Sequence, residues 1–188
     1  KMAETLTFPN RFIGIHYMHP AESLPMVEVI RVSQTSDLTL KRTKAALKKT
    51  DKESIVLKKP IVGFLINRLQ HALLHEAYYL IEEGIVEAKD IDNFGKWMLG
   101  PRMCVTGLIE QKDISGLDTH ALAQQGIVPH LHLSRKPSRI VQDRYKKGDL
   151  GVKTGRGFYN WENRDIVSHK KRAEKKLQEL IKLLKDHK

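Results

Sequence analysis

His16 and Glu28 are the titratable residues whose placement asks for an explanation. In RFIGIHYMHPAESLPMVEVI, residues 11–30, two strand-like runs flank a turn broken by prolines. His16 closes the first run at a strand end beside a turn, where α/β proteins put functional groups. Glu28 interrupts the second run where a further apolar residue suits the pattern. A carboxylate that reaches an imidazole holds one ring nitrogen protonated, leaves the other to accept a proton and raises its basicity. Twelve residues across a strand–turn–strand connection make that contact feasible, and an edge histidine without a partner is the other reading of the spacing.

Other candidates carry less. His71 and His75 stand four apart in a helical stretch, followed by Glu76, a spacing that can put two metal ligands on one face. The H-E-x-x-H order and a third ligand are missing, so they are read as an ordinary buried or interface pair and no metal site is expected. His130 and His132 in PHLHLS alternate like a strand edge but are assigned to a loop over the helices. Cys104 is the single cysteine, which excludes an intrachain disulfide; it is read as packing in a reducing, cytoplasmic setting.

The elements that must position His16 and Glu28 follow from the pattern around them. Residues 11–17 and 26–32 read as short strands with a non-hairpin connection. TSDLTLKRTKAALKKTD reads as a helix with Thr35 or Ser36 as N-cap, and ESIVLKK as a third strand. So few strands leave open edges and an uncovered face, which suggests a chain that starts inside a domain whose first half is absent. From Pro60 the character changes. PIVGFLINRLQHALLHEAYYLIEEG places Ile66, Leu69, Leu73, Ala77 and Leu80 at helical spacing, with Gly84 as the stop. AKDIDNFGKWML is a shorter helix with Ile91, Phe94 and Met98 on one stripe. Asp118 can cap THALAQQ and Gly126 end it; Pro137 or Ser138 can start SRIVQDRYKK and Gly148 end that one. Residues 60–160 therefore read as all-helical. The tail from about Asp165 carries Leu177, Leu180, Ile181 and Leu184 as an apolar stripe on a Lys-rich helix. It lacks Trp or Phe on that face, so docking on its own domain or a sister subunit is favoured over a membrane surface.

Composition narrows the partners. With 188 residues, 40% apolar and 29% charged, the chain suits one domain plus a piece of another. No segment has the apolar length of a membrane span, and no signal peptide is read ahead of the first strand. The net charge of +11 sits heavily in the tail. There is no aromatic–basic RNA motif, zinc-finger spacing or helix-turn-helix pattern, so no nucleic acid and no membrane is expected as a partner.

Five strings, in order, change the weight of the pair. RFIGIHYMHPAESLPMVEVI, PIVGFLINRL, EEGIVEAKDIDN, GLIEQKDISGLD and KTGRGFYNW resemble the 3-hydroxyacyl-CoA dehydrogenase family, whose pattern is H-F-x-N-P followed by V-E, then P-G-F-x-x-N-R and K-x-G-x-G-F-Y. The resemblance runs from about residue 11 to residue 161. It implies a mostly α chain: an incomplete α/β Rossmann remnant over 1–58, an all-α helical substrate and dimerisation domain over 59–161, and a basic amphipathic helix over 162–188. It implies that His16 takes the proton of a substrate 3-hydroxyl while hydride passes to NAD, that Glu28 orients and charges His16, and that Asn67 stands near the reacting oxygen. The expected substrate is a 3-hydroxyacyl-CoA, the expected assembly a homodimer through the helical domain. The basic balance suits a ligand bearing several phosphates, such as coenzyme A.

Three departures qualify the likeness. No G-x-G-x-x-G follows a strand: GVKTGRGFYN follows a helix and opens none, so the dinucleotide fingerprint is missing, as is the family's upstream serine. The asparagine of H-F-x-N-P is His19 here, a position the family uses close to the nicotinamide. Pro60 stands apart from Gly63 where the family has Pro-Gly adjacent, so the entry into the long helix is expected to differ. PRM at 101–103 and ISGLDTH at 114–120 look closer to the branch with lambda-crystallin and carnitine dehydrogenase, which keeps a small gulonate- or carnitine-like hydroxy acid open as substrate. A non-catalytic helical dimerisation module is the remaining reading.

Overall fold

The computed structural model describes residues 2–186. The architecture is mostly α with a single small sheet, as the sequence predicts. Among the described residues, one compact unit takes those up to Gln70 together with those from Val167 on, and the other takes His71–Ile166.

In the first unit, strands β1 (Gly14–His16), β2 (Met26–Ile30) and β3 (Glu53–Leu57) form a sheet in the order β1-β2-β3. β1 and β2 are adjacent and antiparallel, so the connection between them, expected not to be a hairpin, joins direct partners. β2 and β3 are parallel, and helix α1 (Asp37–Lys48) is the crossover between them. β2 is buried on both faces, from Val27 to Ile30. Val27 and Val29 form the core with Leu47, and Ile13, Leu40 and Val56 pack against it. Val29 has no exposed surface, a burial that contributes about 1.5–3 kcal/mol for a side chain of this class. Ser36 is the N-cap of α1: its Oγ accepts from the Thr39 N–H at 3.2 Å. Thr35, also buried, donates to the Phe12 carbonyl at 2.8 Å and accepts from the Val32 N–H at 3.0 Å, tying the entry of β1 to the exit of β2.

Helix α2 (Ile66–Glu82) starts in the first unit and runs on in the second. It ends where expected: Gly84 takes φ +66, and the Ile85 N–H closes back on the Leu80 carbonyl at 2.9 Å. α3 (Ala88–Phe94) does not stop near Met98. It passes through a π-helical turn, Gly95–Leu99, into α4 (Gly100–Thr106). A Cβ on Gly100 would lie 2.6 Å from the Gly95 carbonyl oxygen, so this wide turn requires glycine there. α5 (Glu110–Ser115), α6 (Leu117–Ile127) and α7 (Arg139–Lys147) follow. The expected boundaries of α6 need correction. Gly116, at φ +90, is its N-cap, Asp118 lies inside the first turn, and Gly126 is within the helix. Gly148 does end α7, in the left-handed conformation.

Carboxylates of α2 fasten the loop before α7 and the first turn of α7. The Glu76 carboxylate accepts from the His132 N–H at 2.8 Å, and Glu82 from the Ile140 N–H at 2.6 Å. The GFYNW segment is anchored by Tyr78 stacked on Phe158, by Arg144 over the same ring, and by Tyr159 donating to Asp92 at 2.8 Å. Burial and the Asp92 carboxylate push the Tyr159 phenol up to about 12.

The tail forms α8 (Ile166–Asp186), where the Gln178 amide donates to Ser23 Oγ at 3.3 Å. Among the described residues no helix is long and apolar enough to cross a membrane.

Candidate active site

The sheet register sets His16 directly opposite Glu28. Cross-strand partners are close enough for side chains to meet, and these do: His16 Nδ1 lies 2.6 Å from Glu28 Oε2. The His16 side chain keeps 27% of its surface exposed, while that of Glu28 keeps 6%. A carboxylate at that distance takes the Nδ1–H, which leaves the Nε2 lone pair of the imidazole uncommitted.

The second oxygen of Glu28 is also occupied. Oε1 accepts from the Leu65 N–H at 2.7 Å and the Ile66 N–H at 3.0 Å. These N–H groups belong to the start of α2, where a helix has donors without intrahelical partners and a partial positive charge. Burial pushes the Glu28 carboxyl up, but the hydrogen bonds from His16, Ile66 and Leu65 outweigh it and hold the group below its ordinary 4.5. Glu28 is thus an ionised, nearly buried carboxylate with each oxygen hydrogen-bonded.

Among the described residues, no hydrogen bond or ring contact joins the other predicted residues to this pair. Asn67 is the second residue of α2, directly after the two N–H groups held by Glu28. Its amide carries no hydrogen bond among the described residues. His19 is exposed and precedes Pro20 through a cis peptide bond. The turn that follows is pinned by Lys52, whose Nζ donates to the carbonyls of Ala21 at 2.6 Å, Leu24 at 2.7 Å and Glu22 at 3.3 Å.

Two contributors escape sequence reasoning. Phe64 packs on His16 with ring centroids 5.2 Å apart, and nothing in the pattern GFLIN signals that an aromatic there faces a residue far upstream. The backbone N–H groups of Leu65 and Ile66 have no side-chain signature at all.

Elsewhere, His75 Nδ1 lies 3.2 Å from Ser138 Oγ, and its ring lies against that of His132, which stacks on Tyr79. His71 is exposed. No group of three or more His, Cys, Asp or Glu side chains able to hold a metal occurs among the described residues. Cys104, read as packing, is exposed instead.

Comparison with known proteins gives this geometry its context. Residues 63–161 match the C-terminal domain of 3-hydroxyacyl-CoA dehydrogenase, and residues 1–60 match the NAD binding domain of 3-hydroxyacyl-CoA dehydrogenase. The chain is 28% identical over 159 residues to a 5-formyl-3-hydroxy-2-methylpyridine 4-carboxylate 5-dehydrogenase of Mesorhizobium japonicum, covering 85% of this chain and 52% of that protein. It is 33% identical over 162 residues to a 3-hydroxybutyryl-CoA dehydrogenase of Bradyrhizobium diazoefficiens, covering 86% and 54%. Among solved structures, a 5-formyl-3-hydroxy-2-methylpyridine 4-carboxylic acid 5-dehydrogenase described as an NAD+-dependent dismutase superposes with a TM-score of 0.93 at 25% identity, covering 98% of this chain and 60% of that one. A 3-hydroxyacyl-CoA dehydrogenase from Archaeoglobus fulgidus gives 0.62 at 33% identity, covering 97% and 62%. The chain spans about half the length of the curated relatives it matches. The two domain matches in sequence order, with a partial nucleotide-binding region leading into the helical one, place this chain in the 3-hydroxyacyl-CoA dehydrogenase family.

Proposed function

We propose that this chain carries the proton-accepting part of an NAD-dependent dehydrogenase, with His16 as the base for a substrate hydroxyl. The observation that supports it is the 2.6 Å pairing of His16 with a buried, ionised Glu28. With Nδ1–H committed to the carboxylate, His16 Nε2 receives the hydroxyl proton, and the Glu28 charge favours the imidazolium that forms. The unengaged amide of Asn67 suits it to donate to the reacting oxygen. NAD, when bound, supplies the hydride acceptor.

The residues present fit only part of that cofactor. His19, exposed on the turn that leaves β1, is the residue of this chain suited to the nicotinamide end. No glycine-rich turn joins a strand to a helix among the described residues, so the pyrophosphate cradle is not among them.

The substrate assigned first is an L-3-hydroxyacyl-CoA, oxidised to the 3-ketoacyl-CoA, on the strength of the family and a net charge of +11 that suits a phosphate-rich ligand. One observation favours a small non-CoA hydroxy compound instead. The pyridine-carboxylate dehydrogenase shares the fold at a TM-score of 0.93, against 0.62 for a 3-hydroxyacyl-CoA dehydrogenase of higher identity. Acetoacetyl-CoA and a formylpyridine carboxylate, offered at equal concentration to the whole protein with NADH, separate the two.

The decisive variant is His16→Gln in the protein together with its nucleotide-binding half. The expected outcome is a fall in kcat of about 10²–10⁴-fold with coenzyme affinity little changed. Native turnover in that variant would end the base assignment.

A further inference from the structure

We propose that Phe64 is a positioning residue for His16, held in place by the oxygen of Glu28 that His16 does not use. The inference rests on His16 as the base and adds a residue and a latch to that site. Its first support is backbone conformation. Phe64 has φ +48, the left-handed region that a bulky L-residue avoids, and it follows Gly63 at φ +80. A glycine would take this conformation without strain, so the turn itself has no use for a phenyl ring at position 64.

The second support is what the ring touches. Its centroid lies 5.2 Å from that of His16 with planes tilted by 55°, an aromatic pair in the favoured range. The ring is only partly buried, so it does not serve as a core residue of the first unit. Packed beside the imidazole, it limits rotation of the ring that Glu28 holds at one edge only.

The third support is the latch. The Phe64 N–H donates to the Ile61 carbonyl at 3.0 Å, and the two N–H groups that follow both go to Glu28 Oε1. The strained residue is therefore fastened on each side, and one of the fasteners is the carboxylate that orients His16. Charged acceptors on paired backbone donors make strong hydrogen bonds. Strain of this kind persists only where the surroundings over-determine it, and it clusters at functional sites.

Four variants of this chain separate the parts, read by His16 ring resonances and by amide exchange at Leu65 and Ile66. Phe64→Leu removes the ring current and is expected to move the His16 ring protons. Phe64→Gly is expected to do the same while leaving both amides protected, because glycine accepts the turn. Glu28→Gln retains an oxygen for the two N–H groups but offers an amide N–H to Nδ1; protection is expected to stay and the His16 tautomer to switch. Glu28→Met removes both acceptors; exchange at Leu65 and Ile66 is expected to rise by roughly tenfold to a hundredfold, and the His16 protons to move as in Phe64→Leu. In the whole dehydrogenase, Phe64→Leu should lower kcat more than it changes KM, and Phe64→Tyr should restore it, a pattern that loss of stability alone does not give. Unmoved His16 resonances in Phe64→Leu overturn the positioning role, and native exchange in Glu28→Met overturns the latch. An unswitched tautomer in Glu28→Gln, with the Phe64→Leu shift intact, would instead count against the base reading.

Discussion

Glu28 shows how one residue joins two levels of structure. At 4% exposure burial alone pushes its carboxyl toward the neutral form; His16 and the two N–H groups at the start of α2 outweigh that and keep it charged. Because the folded chain holds this carboxyl below its ordinary 4.5, the unfolded chain binds the proton first as pH falls. The stabilisation it contributes is complete above that ordinary value and is lost as pH drops through the lower folded one. Urea midpoints measured down from pH 7 to roughly pH 3 should therefore fall more steeply in the native chain than in Glu28→Gln. Equal slopes would show that the carboxylate carries no such linkage. At this scale the sequence was informative about His16 and Glu28, because a charged residue inside an apolar run conflicts with its surroundings and asks for a partner. It was silent on Phe64, because a left-handed φ at a non-glycine residue leaves no mark on composition or periodicity.

At the scale of elements, Lys52 gives the sharpest case. It precedes β3, and its ammonium gathers three carbonyls of the turn between β1 and β2, the turn that begins at His19. Lys52→Met should lower stability by about 2 kcal/mol, since three acceptors lose a charged donor. It should also weaken coenzyme binding by the whole protein if His19 contacts the nicotinamide. A titration of NADH against native and Lys52→Met protein reads this, and equal affinities would separate the turn from the cofactor. Helix ends were legible where a glycine must adopt the left-handed conformation, as at Gly84 and Gly148. They were misread at Asp118 and Gly126. Gly116 reverses the chain two residues before Asp118, and Gly126 is simply tolerated inside α6. A glycine in a sequence marks permission to turn, and the surrounding packing decides whether the turn is made.

Over the whole molecule, the two units differ in what they bury. The first has a compact apolar core between β2, β3 and α1. In the second, Ala77 is the one buried apolar residue among those described, and large apolar side chains such as Trp97, Val105, Ile109 and Leu122 are well exposed. Helices that are apolar beyond one stripe call for a further surface to cover them. A second copy pairing through this unit, which the family resemblance implies, would answer that need. Sedimentation velocity should find a dimer that Trp97→Asp or Leu122→Asp shifts toward monomer; a native monomer, or a dimer that neither change disturbs, would place the interface elsewhere.

The sequence by itself determined the mostly α class with its few short strands, the candidacy of His16 and Glu28 as partners, and the family. Those depend on local periodicity and on residue order along the chain. That His16 and Glu28 do meet was decided by the sheet register. Tertiary structure alone decided that Glu28 also caps α2, that Phe64 lies against His16, and that Lys52 fastens the His19 turn. Each of these joins a side chain to a backbone group or a ring 28 to 48 residues away. Backbone donors and acceptors are the same at every residue, so only the folded chain reveals which of them a given side chain will meet.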